Sequence, residues 1–416
     1  MAGQGKTRIA YVMTNYPYPS QTFLMEEILG VEGDRFEIAP IAINTVVETD
    51  LLTDQHRRES DRTTYIKGLS RGKILATLTR WFVRHPIRTT RLTLSVARTG
   101  GTNLKLVLWR VFHLVEGVLV WDHCSRRGIS HFHAQFGGPP AAVAMYAADF
   151  GRLVAGNGHA TWSYTVHGFH DFVNENDIRL DLKTHSATFV VGISDFTASQ
   201  LMRIADPADW SKISVVRCGI ALDRFPLRAP LALRDVPVVV TVGRLSAEKG
   251  HIVLLNAVKI LADQGLYLQL RLVGSGPYQA EIEREIERLS LTNCVSLLGM
   301  LASHEVANEL LQADVFCLPS FAEGVPISIM EAMAVGVPVV ATSVGGIPEL
   351  LTNAVTGWCT APGRADQLAE ALGRAVSQGP ELNAVLRAAR QRVEDLHNAA
   401  DTAIAMQALF AVNVHR

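Results

Sequence analysis

Short apolar runs, each closed by a loop and followed by an amphipathic stretch, pass through most of this chain, and the pattern restarts near its middle. Arg8–Thr14 (RIAYVMT) reads as a buried strand, because a short apolar run ending in polar and turn residues leaves no solvent face. A loop over 15–21 leads to a helix over Thr22–Gly30, with Ser20 or Thr22 as its cap, and then to a strand over Phe36–Ile43. Ile129–Ala134, Thr161–Val166, Ala187–Ile193 and Ile213–Cys218 continue the strands. Helices fall at Ala141–Asp149 and at Asp195–Arg203, the latter capped by Ser194. The restart is Val238–Val242, followed by helix His251–Gln264, strand Tyr267–Val273, helix Tyr278–Leu289, Val295–Leu298, helix Ser303–Gln312 and strand Asp314–Leu318. Such alternation demands parallel sheets covered by helices on both faces, with ligands at the carboxyl ends of the strands.

At 416 residues the chain exceeds a single-core size, so two α/β domains are expected, over 1–227 and 236–395. Leu227–Pro237, rich in Pro, Ala and Leu, reads as the linker. The final helix-like stretch, Leu382–Phe410, is long enough to return, and residues 396–416 are its candidate for packing on the first domain.

Several functional classes drop out. No GxGxxG follows the first strand, so a dinucleotide fingerprint is absent. Cys124, Cys218, Cys294, Cys317 and Cys359 are scattered without CxxC spacing, which fits a reducing cytosol better than disulfides or cysteine zinc sites. Lys6 and Arg8 lead straight into a strand, unlike a secretory leader. Leu104–Trp121 is apolar, but Lys105, Arg110, His113 and Glu116 interrupt it, so it falls short of a membrane span. His131 and His133 share one strand face without further ligands, which favours satisfied or pocket-lining histidines over a metal site.

The formal charge of −1 conceals a basic insertion. Residues 57–110 hold thirteen Lys and Arg against only Glu59 and Asp61, with Ile66, Leu69, Ile74, Leu75, Leu78, Trp81, Phe82 and Val83 interleaved. Two readings stand: basic amphipathic helices on an anionic membrane surface, or a solvated basic face on helices packed against the first sheet. No nucleic-acid motif accompanies the charge.

Chemistry concentrates in Ser320–Pro348, SFAEGVPISIMEAMAVGVPVVATSVGGIP. Pro326 suits a first helical position and Gly336 a left-handed cap beyond the end, so Glu323 lies on a loop and Glu331 inside the helix that follows. Gly243 and Arg244 end an upstream strand, and Lys249 follows in the same loop; cations there suit a diphosphate clamp. Gly274, within GSGP, allows close approach of a ligand, and Met300 follows another strand. Carboxylates suit vicinal hydroxyls, so phosphates plus hydroxyls suggest a nucleotide sugar. The competing reading pairs Glu323 and Glu331 with Arg244 and Lys249 in a salt-bridge network without a ligand. His167, beyond the strand Thr161–Val166, stands where chemistry is usual in this fold class.

EGVPISIME resembles the E-x7-E motif of the family-four retaining glycosyltransferases, followed by GVPVVAT and GGIPEL, while GRLSAEKG, LVGSGP and VVRCGIALDRF resemble further motifs of that family. YPSQTFLMEEI, HFHAQFG, YTVHGFHDF and VVGISDFTASQL are similar to its exopolysaccharide branch of the colanic-acid type. The match spans nearly everything except about 45–125, and the usual glycine pair of the first loop is replaced by YPYPSQT.

The resemblance implies a GT-B fold of two facing Rossmann-like domains, and a cofactor-free, metal-independent, retaining transfer from a UDP- or GDP-linked sugar. Arg244 and Lys249 would stabilise the departing diphosphate, and Glu331 would hold the ribose. Glu323 would bind a hydroxyl of the transferred sugar, His167 would contact that sugar, and Gly324 and Val325 would offer backbone N–H groups. With the basic insertion, this suggests a cytoplasmic, peripherally membrane-bound enzyme acting on a lipid-linked or surface-polysaccharide acceptor. A soluble transferase with a small acceptor, and an inert sugar- or nucleotide-binding scaffold, are the alternatives.

Overall fold

The computed structural model describes residues 6–414 except 49, 50, 52, 174, 230–233, 378 and 380. The chain divides into two units, Met1–Val216 with Ala403–Arg416, and Arg217–Thr402.

The first unit is built on a parallel seven-stranded sheet: β1 (Thr7–Met13), β2 (Phe36–Ala42), β3 (Thr64–Tyr65), β4 (His131–Gln135), β5 (Thr161–Val166), β6 (Val190–Gly192) and β7 (Ile213–Val215). Its order is β3-β2-β1-β4-β5-β6-β7, so the winding reverses between β1 and β4. Alternate residues of β1 feed opposite layers. Ala10 and Val12 join the cluster with Val118, Trp121, Phe132 and Phe150, whereas Ile9, Tyr11 and Met13 join Leu24, Ile28, Val31 and Phe410. Ser194 caps Asp195–Ile204 as expected, accepting from the Thr197 N–H. The first helix, Thr22–Val31, instead begins after Gln21 with no side-chain cap, because Thr22 is already helical.

The Leu382–Phe410 stretch is two helices, Leu382–Leu396 and Ala399–Asn413. Backbone from the chain's middle wedges into the break: Ile220 N–H donates to the His397 carbonyl, and Ala399 N–H donates to that of Ile220. The last helix then lines the first unit's core. Phe410 is fully buried among Tyr11, Phe36, His133 and Phe189, and Gln407 Nε2 donates to the end carbonyls of Gly30 and Val31.

The basic insertion folds into helices Asp54–Arg62, Arg71–Arg84, Pro86–Arg98 and the start of Leu104–Ser125. Pro86 opens the third because its ring tolerates only a first-turn position. Part of the charge is spent internally: Arg62 pairs with Glu32 and Glu59, and Arg80 with Asp122. Thr77 is buried, and Ile74, Leu78 and Trp81 pack against the sheet's core.

The second unit carries a parallel six-stranded sheet: β8 (Val238–Val242), β9 (Gln269–Val273), β10 (Val295–Gly299), β11 (Val315–Leu318), β12 (Val339–Thr342) and β13 (Trp358–Thr360). The order β10-β9-β8-β11-β12-β13 reverses between β8 and β11. Leu227–Pro237 is no free linker where it is described. Arg228 N–H donates to the Val335 carbonyl, and its guanidinium caps a helix end at Ala313 in the same unit. Residues 230–233 of that stretch lie outside the described residues.

Candidate functional site

In the second unit, the loops after β8 and β11 stand on either side of the winding reversal, where such sheets open a crevice. Lys249 from the first loop reaches Glu323 on the second, with Nζ 2.6 Å from Oε1. Ser320 Oγ donates to the same oxygen at 2.6 Å. Oε2 of Glu323 has no partner among the described residues, and the Lys249 ammonium keeps two of its three N–H donors. The exposed Arg244 guanidinium likewise has no partner among them.

Helix Ile327–Val335 starts after Pro326, which is the cap itself and not the first helical residue, and ends at Gly336 in the left-handed conformation. Glu331 lies within a continuously buried stretch, Ile329–Val335, and has neither hydrogen bond nor ion pair among the described residues. Burial pushes its carboxyl up to about 8. The salt-bridge network without ligand is therefore half right: Lys249 and Glu323 do pair, whereas Glu331 and Arg244 form no ion pair among the described residues.

The surrounding loops are packed backbone to backbone. Gly345 has φ +55°, and a Cβ there would sit 2.0 Å from the Glu323 carbonyl oxygen. Gly274, at φ +137°, would clash in the same way with the Gly243 carbonyl at 2.0 Å. Gly274 N–H also donates to Gly299, which places the half-exposed Met300 beside that turn. Gly324 and Val325 are buried, and their N–H groups meet no acceptor among the described residues. Unpaired buried N–H groups, a free cation and a partnerless buried carboxylate form an arrangement that an anionic, hydroxyl-rich ligand would satisfy.

In the first unit, His167 follows β5. Its Nε2 lies 2.6 Å from Gln135 Oε1, and its ring sits between Phe23 and Phe136 at 5.0 and 4.5 Å. Asp171 ties the neighbouring loops together, accepting from the N–H groups of Gly137 at 2.7 Å and His167 at 2.9 Å. Buried Lys183, pushed down to about 7 by desolvation, donates to the carbonyls of Gly137 and Gly138. His131 and His133 are satisfied structural histidines, bonded to the hydroxyls of Thr161, Ser163 and Thr165 on β5. No group able to hold a metal ion occurs among the described residues.

Sequence reasoning missed Ser320, Asp171, Lys183 and the partners of His167. Glu27 carried a signal, since it falls on the apolar face of its helix with Leu24, Ile28 and Val31, an expensive position for an unpaired acid.

Residues 223–392 match the family model described as glycosyl transferases group 1. The putative colanic acid biosynthesis glycosyltransferase WcaL of Escherichia coli K12 is 28% identical over 413 residues, covering 93% of this chain and 95% of that one. The amylovoran biosynthesis glycosyltransferase AmsK of Erwinia amylovora is 38% identical over 213 residues, 50% of this chain and 52% of that one. Among solved structures, Anabaena Alr3699/HepE in complex with UDP-glucose superposes with a TM-score of 0.69 at 17% identity, over 97% of this chain and 99% of that one. At that identity the likeness is one of fold, and the fold is GT-B.

Proposed function

Since residues 223–392 form a group 1 glycosyl transferase domain within a GT-B fold, we propose that the protein is a retaining enzyme transferring a sugar from a nucleoside diphosphate donor during exopolysaccharide assembly. The observation that carries this reading is the pair of acids in unequal states. Glu331 has both oxygens open, the valence needed for the two vicinal hydroxyls of a ribose. Glu323 has one oxygen committed to Lys249 and Ser320 and one open, the valence for a single sugar hydroxyl. Arg244 and the two spare N–H donors of Lys249 receive the diphosphate, and Gly324 and Val325 add backbone N–H groups. Breaking the bond from the anomeric carbon to phosphate develops negative charge on the diphosphate, and prearranged donors stabilise it. The acceptor oxygen bonds the anomeric carbon on the face the phosphate leaves, and its proton passes to the departing phosphate oxygen. No carboxylate has to act as a nucleophile, and no metal takes part.

The donor is tested by thermal shift with UDP, GDP, ADP and their sugars, followed by nucleotide release from those that bind. Specific binding raises the melting temperature by mass action. If no nucleotide sugar either stabilises the protein or is consumed, the transferase reading fails.

The acceptor is read as lipid-linked, reached by a peripheral enzyme on an anionic membrane surface. Helix Arg71–Arg84 has two apolar stripes. Ile74, Leu78 and Trp81 face the core, while Leu75, Phe82 and Val83 stand exposed, with Lys73 and Arg84 among them. Ile87 and Leu94 on the next helix, and Leu104, Leu108, Trp109 and Phe112 on the one after, repeat the outward stripe beside Arg88, Arg91, Arg98 and Lys105. Those cations form no ion pair among the described residues. Apolar stripes bordered by free cations fit an interfacial helix bound to acidic lipid. No described helix is long and apolar enough to cross a membrane. The full chain should co-sediment with phosphatidylglycerol vesicles and be released by high salt. Indifference to these vesicles would favour a small soluble acceptor.

A further inference from the structure

Asn15, Asn44 and Lys67 each stand two residues beyond the carboxyl end of β1, β2 and β3, and their side chains join in one line. Asn44 Nδ2 donates to Asn15 Oδ1 at 3.0 Å, and Lys67 Nζ donates to Asn44 Oδ1 at 2.8 Å. The line continues onto helix Leu104–Ser125, where Oε1 of buried Glu116 lies 4.0 Å from Lys67 Nζ. Oε2 of Glu116 accepts from His113 Nδ1 at 2.8 Å. A carboxylate only accepts, so Nδ1 carries the hydrogen and Nε2 of the neutral ring is an acceptor. Nε2 has no partner among the described residues and is not enclosed by them. Two aromatic rings border this line, Trp109 48% and Phe112 42% exposed. Trp109 lies 6.0 Å from Phe112 and 5.6 Å from the His113 ring, and Lys67 Nζ lies 5.6 Å from the centre of Phe112.

The charges decide what such a cluster can hold. Glu116 offsets Lys67, and a phosphate drawn to the ammonium would also meet that carboxylate, so an anion gains little here. What stays open is two N–H donors of Lys67, one acceptor nitrogen on His113 and two aromatic faces. A pyranose matches that set, because its hydroxyls both donate and accept while its C–H face is apolar. We propose that this cluster is a saccharide site, in which a pyranose lies against Phe112 and Trp109, accepts hydrogen bonds from Lys67 and donates one to His113 Nε2. All of these groups belong to the first unit. Resting on the reading above that the second unit holds a nucleotide sugar, the sugar bound here is the acceptor's. The enzyme then extends a glycan, and an earlier glycosyl transfer has to supply its substrate. Exposed Leu104 and Leu108 continue the face of Phe112 at four-residue spacing, so a glycan carried on lipid would present its sugar beside the apolar stripe.

The test is saturation-transfer NMR on the full chain, without nucleotide, using methyl glycosides of glucose, galactose and mannose together with maltose and lactose. At least one should bind wild type. Lys67→Met should weaken it about tenfold, and so should His113→Asn, which keeps a donor to Glu116 but lacks the second ring nitrogen. Phe112→Leu removes the aromatic face and keeps apolar area, so it should weaken the sugar while phosphatidylglycerol vesicle binding persists. A wild type that takes none of these sugars overturns the proposal, as do variants with wild-type affinity at a wild-type melting temperature. Variants that lose the vesicles and keep the sugar also overturn it, because the cluster would then serve lipid. A sugar that binds should speed UDP release from UDP-glucose; binding without that effect removes its assignment to the acceptor. Sugar binding is read without nucleotide, so a chain that takes the sugar but not UDP-glucose counts against the donor reading and leaves the saccharide site standing.

Discussion

Glu331 is a carboxylic acid buried in a helix with no partner for its charge among the described residues, and burial holds its proton up to about 8. Hydroxyls that donate to it favour the ionised form, so binding lowers that value and releases a proton. The sign follows: UDP-glucose affinity should rise as pH increases from 6 towards 8, by up to about tenfold per unit, and level off above. Glu331→Gln should flatten the dependence, and calorimetry across that range checks it. A wild type without pH dependence would remove the ribose assignment. Lys249 poses a different question, because it serves the diphosphate and also pairs with Glu323. Loss of a donor to developing anionic charge costs roughly 3–4 kcal/mol in the transition state, or a few hundredfold in rate. Stranding Glu323 with Ser320 alone costs about 1–3 kcal/mol of folding. Lys249→Ala should therefore lose more in kcat than in stability, read by turnover and urea unfolding; the reverse order would make the pair structural. At this scale the residue types were legible from sequence, but their valence was not. Glu323 and Glu331 look alike in EGVPISIME. Only the fold reveals that one shares an oxygen with Lys249 and Ser320 while the other meets no donor among the described residues.

Elements were legible where one period dominates. β5 occupies Thr161–Val166 as expected, and Gly336 closes its helix in the left-handed conformation. Legibility failed where two signals overlap. On helix Arg71–Arg84 the inner and outer apolar stripes together leave little polar face, so the sequence shows apolar residues at helical spacing without saying which face the core. The structure separates them and yields a test. Phe82→Ser with Trp109→Ser, both outward and exposed, should keep the melting temperature within about 2 °C, because surface changes of this kind fall within about 0.5 kcal/mol. The same pair should abolish phosphatidylglycerol vesicle binding. Inward Trp81 donates Nε1 to Asp122 at 2.9 Å, so Trp81→Ser should instead destabilise the fold. Loop packing belongs to this scale too. Gly345→Ala adds a Cβ where the Glu323 carbonyl stands, at a φ that alanine disfavours. It should weaken UDP-glucose binding at least tenfold without touching a ligand-contacting side chain.

The chain's path makes one unit depend on its far end. The first unit recruits Ala403–Arg416 across the whole intervening unit, and Phe410 fills a space in one of the sheet's two layers, among Tyr11, Phe36, His133 and Phe189. Sequence length alone allowed that return but could not require it; the requirement comes from a core open until Phe410, Met406 and Ala403 fill it. Truncating a buried Phe to Ala costs about 3–5 kcal/mol. The tryptophans separate the units: Trp81, Trp109, Trp121, Trp162 and Trp210 lie in the first, and Trp358 in the second. Phe410→Ala should move the urea transition followed by tryptophan emission down by about 1–2 M, given a slope of about 3 kcal/mol/M for a unit of this size. UDP-glucose binding, which the proposal assigns to groups of the second unit, should persist at urea concentrations where that emission has already changed. If binding and emission fell together, the two units would unfold as one cooperative block, and the last helix would couple their stabilities in addition to completing the first core.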